Sequence, residues 1–133
     1  MSNSAYVKLV EKSKQQTIQL DEVENLIHYY KEITTKTGEQ LSWEYGTAAF
    51  PYQVKHQEQE GRKYLLLKGL EEDYQYIIVG TGNQGNDHIQ IVLPEGSTHG
   101  DKGKANEFCK FLAKKLAGEL HLFNGRVMYY YKR

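Results

Sequence analysis

Ser97-Thr98-His99-Gly100-Asp101-Lys102-Gly103-Lys104 is the stretch whose residue types could do the most chemistry. It joins a strand-like run to a helical one, so it carries the unpaired amides of a helix N-terminus. Those amides and the helix dipole favour anions. Two glycines let a ligand approach the backbone, and Lys102 and Lys104 add positive charge. Thr98, His99, Gly100, Lys102, Gly103 and Lys104 are therefore candidate anion-binding residues. Gly100-x-x-Gly103 also matches the short loop by which KH domains grip a nucleic-acid backbone. Asp101 opposes phosphate, however, and the element order differs from that of a KH domain. The competing reading is structural, with Thr98 or Asp101 capping the helix and the glycines shaping the turn.

Further along the same helix, Lys104, Phe108, Phe111 and Lys115 share an edge at i, i+4, i+7 and i+11. Phe111 and Lys115 are candidate interaction residues there, since an aromatic among cations can meet a base, a phosphate-bearing ligand or a protein. Packing under a neighbouring element is the alternative. His99 is the proton carrier that an enzyme acting on a small phosphorylated or carboxylated molecule would use. Little else points to catalysis. Cys109 falls on an apolar stripe, where thiols are inert. His28, His56, His88, His99 and His121 show no metal-ligand spacing, so neither a metal nor a cofactor is expected. Gly80-Thr81-Gly82-Asn83-Gln84-Gly85 fits the dinucleotide pattern G-x-G-x-x-G, which needs a helix next. Residues Asn86 to Val92 alternate like a strand instead, so the glycines read as a hairpin loop.

The elements that must position these residues follow from periodicity. Tyr6–Val10 reads as a first strand. From Asp21 to Thr37, Val23, Leu26, Ile27, Tyr30 and Ile33 mark one helical face, with Asp21 as N-cap and Gly38 as stop. The period then shortens to two: Leu41, Trp43 and Tyr45 alternate up to Gly46, and Phe50, Tyr52 and Val54 alternate again. Glu60-Gly61 signals a turn, and Tyr64–Leu67, Tyr74–Val79 and Ile89–Leu93 are further strand-like runs. A second helix, Asp101 to Ala117, puts Ala105, Phe108, Cys109, Leu112 and Leu116 on one face and stops at Gly118. Asn124-Gly125 predicts a two-residue hairpin in which Leu122 faces Val127, Leu120 faces Tyr129 and His121 faces Met128. The order strand–helix–four strands–helix–hairpin indicates an α+β fold, an antiparallel sheet of about five to seven strands with two helices on one face.

The chain's 133 residues suit one domain, residues 1–133, large enough to hold together without disulfides. A lone cysteine, no apolar leader and no long apolar run indicate a cytoplasmic protein that does not enter membranes. Basic and acidic residues balance at 17 each. Residues 1–96 nevertheless carry 9 basic and 14 acidic side chains, and residues 97–133 carry 8 and 3. Eleven tyrosines suit half-buried strands and interfaces.

The run from Ser97 to Lys110, the closing Leu122–Tyr129, Ser4–Val10 and Lys36–Leu41 together resemble a family of short uncharacterised proteins from low-GC Gram-positive bacteria, a domain of unknown function. The resemblance implies a bacterial cytosolic protein and an α+β fold related in topology to one repeat of the TATA-binding protein. It supplies no catalytic residues. Three functions are then in play: a non-catalytic binding or interaction module, self-associating as a homodimer through tyrosine-rich sheet surface or a strand edge; nucleic-acid or phosphoanion binding at the Ser97–Lys104 loop and basic helix edge; and an enzyme using His99.

Overall fold

Alternating apolar residues give each strand one face to bury, and the hydrogen-bond register decides whether those faces line up. The computed structural model describes residues 3–41, 51–82 and 87–131, with backbone alone over 34–41. Its elements are β1 (Asn3–Lys8), α1 (Leu20–Leu41), β2 (Tyr52–Gln59), β3 (Arg62–Gly69), β4 (Tyr76–Gly82), β5 (His88–Leu93), α2 (His99–Leu116), β6 (Glu119–His121) and β7 (Val127–Tyr129). The strands form one sheet in the order β2-β3-β4-β5-β1-β6-β7, every pairing antiparallel. This is the α+β architecture expected, at the upper end of the strand range.

Register sets the inner face. Leu65 pairs with Val79, Val79 with Ile91 and Ile91 with Ala5; Ile89 pairs with Val7 and Val7 with Leu120. All of them are buried. Against this face α1 packs Val23, Ile27 and Tyr30, and α2 packs Ala105, Phe108, Cys109, Leu112, Ala113 and Leu116. Each buried Leu, Ile or Val side chain stabilises the fold by about 1.5–3 kcal/mol relative to exposure.

Several boundaries differ from the periodicity reading. β1 begins at Asn3 and ends at Lys8, because pairing with β5 and β6 fixes its extent, whereas the apolar run continues to Val10. α1 begins at Leu20, and the Glu22 carboxylate accepts from the Gln19 amide, so Gln19 rather than Asp21 stands at the cap. Gly38 lies within α1 instead of ending it. Glu60 and Gly61, at φ 53° and 79°, make the tight β2–β3 turn. At the last hairpin Leu120 faces Met128 and His121 faces Val127, one residue out of the expected register. The Gly125 amide donates to the Leu122 carbonyl and Gly125 has φ 87°, so the loop has three residues with a left-handed glycine. The alternation over Trp43, Tyr45, Gly46 and Phe50 and the central part of the glycine motif, Asn83 to Gly85, lie outside the described residues. β5 pairs antiparallel with β4, so a strand, not a helix, follows Gly80-x-Gly82.

Candidate functional site

The β5–α2 connection is largely self-satisfied. Thr98 caps α2: its hydroxyl accepts from the Asp101 amide, and the Asp101 carboxylate accepts from the Thr98 amide, a reciprocal box. The Thr98 hydroxyl also donates to the Asp73 carbonyl, and the Lys102 amide donates to the Thr98 carbonyl. Asp101 is fully buried and accepts from the Tyr52 hydroxyl at 2.5 Å and the Gln75 amide at 3.0 Å. The α2 dipole thus meets a carboxylate of its own chain. Burial, then the hydrogen bond and charge of Asp101, push Tyr52 far above the usual tyrosine range. Burial, then Asp73 and Glu71, raise Tyr74 beside it.

The candidate anion residues scatter around this junction. A side chain at Gly100 would come within 2.8 Å of the Asp73 carbonyl and the Tyr74 ring, so that glycine serves close packing. Gly103 and His99 face solvent. Lys104 pairs with Glu107 at 3.2 Å, and Glu107 also accepts from Tyr30. Of the six, Lys102 lines a concavity of about 380 Å³ with Asn3, Ser97, Asn106 and Asn124. Phe111 and Lys115 lie on the seam between the helices. Phe111 stacks on Tyr29 with centroids 6.2 Å apart, and the Lys115 Nζ sits 4.6 Å from the Tyr29 ring centre. Phe108 is buried beneath them. Burial pushes the Cys109 thiol up to about 12, which keeps it protonated and inert. Among the described residues no group of His, Cys, Asp or Glu could hold a metal, and no helix is long and apolar enough to cross a membrane.

The sheet's other face carries a different chemistry. Residues alternating with the buried set point away from the helices, and the ladders place them in rows. One row reads Lys55, Leu66, Ile78, Val92, Ser4 across five strands. Another runs Gly80, Gln90, Tyr6, His121, Val127. Arg62, Tyr64, Lys68, Tyr76, His88, Lys8, Glu119 and Tyr129 complete the surface with the β2 glutamines Gln53, Gln57 and Gln59. Its cations are therefore Lys8, Lys55, Arg62 and Lys68, and its one carboxylate among these rows is Glu119. Glu119 is engaged by His121 Nε2 at 2.7 Å and by the Tyr131 hydroxyl at 3.3 Å. The helices pack on the opposite face, and Tyr76 and Tyr129 are 40% and 45% exposed.

A cleft of about 410 Å³ opens in this face. The β3–β4 ladder ends at Leu65↔Val79, whereas β2–β3 continues to Gln59↔Arg62 and β4–β5 to Gly82↔His88. The two pairs diverge beyond Tyr64 and Gly80, and the cleft lies at that fork. Tyr64, Ile78, Gly80, Gln90 and Val92 line it, together with Glu60, Arg62 and Lys63 from the β2–β3 turn and the start of β3. Sequence reading missed this site because it joins residues from three separate segments. The available signal was Gly80 itself, a glycine inside a strand.

Comparison with known proteins adds kinship without an activity. The model of a family described as a domain of unknown function, DUF1885, matches residues 3–132. A solved structure titled as a protein of unknown function from Bacillus stearothermophilus is 45% identical, with a TM-score of 0.60 over 90% of this chain and 94% of that one. No curated protein matches.

Proposed function

Since the chain belongs to the DUF1885 family, to which no function is assigned, its role has to come from its own chemistry, and we propose a non-catalytic binding module whose working surface is the outer face of the sheet and whose partner is an extended polyanion. The observation that carries this reading is the charge of that face. A chain with equal numbers of acids and bases sets Lys8, Lys55, Arg62 and Lys68 in the rows of this face against the already paired Glu119, with Glu60 the one further carboxylate, beside Arg62 and Lys63 at the cleft. A surface of one sign raises the local concentration of the opposite charge. Tyrosines and glutamines between the cations supply contact area and hydrogen bonds without further charge. A second copy of the chain is the weaker occupant. A twofold interface presents the same patch from both sides, so pressing two outer faces together sets cations against cations.

Retention on immobilised heparin tests the reading. The protein should bind near 50 mM salt and elute as salt rises, with log affinity falling linearly in log salt. Lys55→Glu with Lys68→Glu should abolish retention. The same exchange at Lys110 and Lys114, exposed on α2, should leave it nearly unchanged. No retention at low salt, or equal loss from either pair, defeats the proposal.

A further inference from the structure

Resting on the polyanion reading of the outer face, we infer that the partner is single-stranded nucleic acid and that the fork between β3 and β4 receives one unstacked base.

Gly80 gives the first reason. It lies within β4, its φ is not left-handed, and a side chain there would meet only the Tyr64 Cβ, at 3.9 Å. Nothing in the fold requires glycine at this position. A glycine inside a strand weakens it and often marks close approach of a ligand to the backbone. Gly82 differs, since a side chain there would run into the His88 ring at 2.6 Å.

The walls give the second. With no side chain on Gly80, the cleft is a slot lined by Tyr64 of β3 and Gln90 of β5, the neighbours of Gly80 on the two adjoining strands. Its volume of about 410 Å³ falls within the roughly 300–1,000 Å³ of small-molecule sites. Tyrosine offers a face on which any base can stack. The Gln90 carboxamide carries both donors and an acceptor, the combination that can read a base edge. Its amide group makes only long bonds, 3.3 Å to Ser4 Oγ and 3.4 Å to the Tyr6 hydroxyl. Its oxygen accepts no hydrogen bond among the described residues.

Charge placement gives the third. Arg62 and Lys63 outnumber Glu60 at the slot's mouth, and Lys55, Lys68 and Lys8 flank it across the sheet. From β2 to β1 is four strand spacings, about 19 Å, so a backbone crossing the face passes cations on both sides of the slot. A duplex offers its phosphates but keeps its bases stacked, and cannot fill the slot. Single strands are bound by this combination of aromatic platforms and a cationic track.

Fluorescence anisotropy with labelled oligo(dT) and oligo(rU) of about 12 nucleotides, within the usual site size, against a hairpin duplex and unlabelled heparin as competitor, tests the inference. The single strands should bind at least about tenfold tighter than the duplex at equal salt. Tyr64→Ala should weaken single-strand binding about 10-fold, in line with the roughly 1–3 kcal/mol that stacking on an aromatic provides per base. Tyr64→Phe should retain it, and Gly80→Val, which fills the slot, should weaken it with heparin retention intact. That retention also reports that each variant is folded. If duplex and single strand bind equally and Tyr64→Ala changes nothing, the inference is overturned while the polyanion reading stands. If oligonucleotides and heparin are both ignored, both fall.

Discussion

Tyr52, Gln75 and Thr98 come from three separate segments and all donate to one buried carboxylate, that of Asp101. An ionised group is tolerated in the interior only when so surrounded. Burial and Asp101 both oppose ionisation of Tyr52, and its hydroxyl acts there as a donor. Tyr52→Phe removes that donor and keeps the ring against Tyr74 and Phe108. Urea unfolding should show a loss of about 1.5–3 kcal/mol, the value of a hydrogen bond to a charged group. A loss below about 0.5 kcal/mol would mean that the carboxylate leans on its backbone donors alone. The sequence showed Thr98 and Asp101 as rival caps; both serve, one as N-cap and one as its reciprocal acceptor. Tyr52 lies 49 residues from Asp101, and no local pattern connects them.

At the scale of elements, the exit of α2 shows two small residues exchanging expected roles. Ala117 takes the left-handed conformation at φ 52°, and Gly118, which the sequence suggests for that role, follows it. A side chain on Gly118 would come within 3.0 Å of the Lys8 carbonyl and the Val7 side chain, so glycine there lets the helix end press against β1. The left-handed conformation costs a residue with a side chain roughly 1–2 kcal/mol, and glycine's extra unfolded-state entropy returns part of that. Ala117→Gly should therefore stabilise the protein by about 0.5–1 kcal/mol in thermal or urea unfolding; a destabilised variant would refute the assignment. The last hairpin teaches a related point. Asn124-Gly125 marks the turn correctly, but the extra loop residue shifts the register by one. That shift turns Met128 toward the core and leaves Val127 and Tyr129 on the outer face.

For the whole molecule, the charge division along the chain and the division across the sheet are different things. The basic C-terminal third lies largely on α2, where Lys104 and Lys115 are engaged with Glu107 and the aromatic seam. The cations of the outer face come mostly from the acidic part of the chain, at Lys8, Lys55, Arg62 and Lys68. The outer-face reading accordingly expects light scattering to give the mass of one chain at low salt without nucleic acid, since like-charged faces repel. A dimer that persists there and is broken by Lys55→Glu would instead assign the face to self-association.

Period and turn chemistry alone determined the order of the described elements, the buried stripe of α2 and most of that of α1 (Ile33 is exposed), the Glu60-Gly61 turn and the α+β class, because each rests on neighbours within a few residues along the chain. Tertiary structure decided which segments share a face. Outward rows such as Lys55–Leu66–Ile78–Val92–Ser4 draw one residue from each of five strands, and only the hydrogen-bond register, fixed by burial of the opposite face, places them side by side.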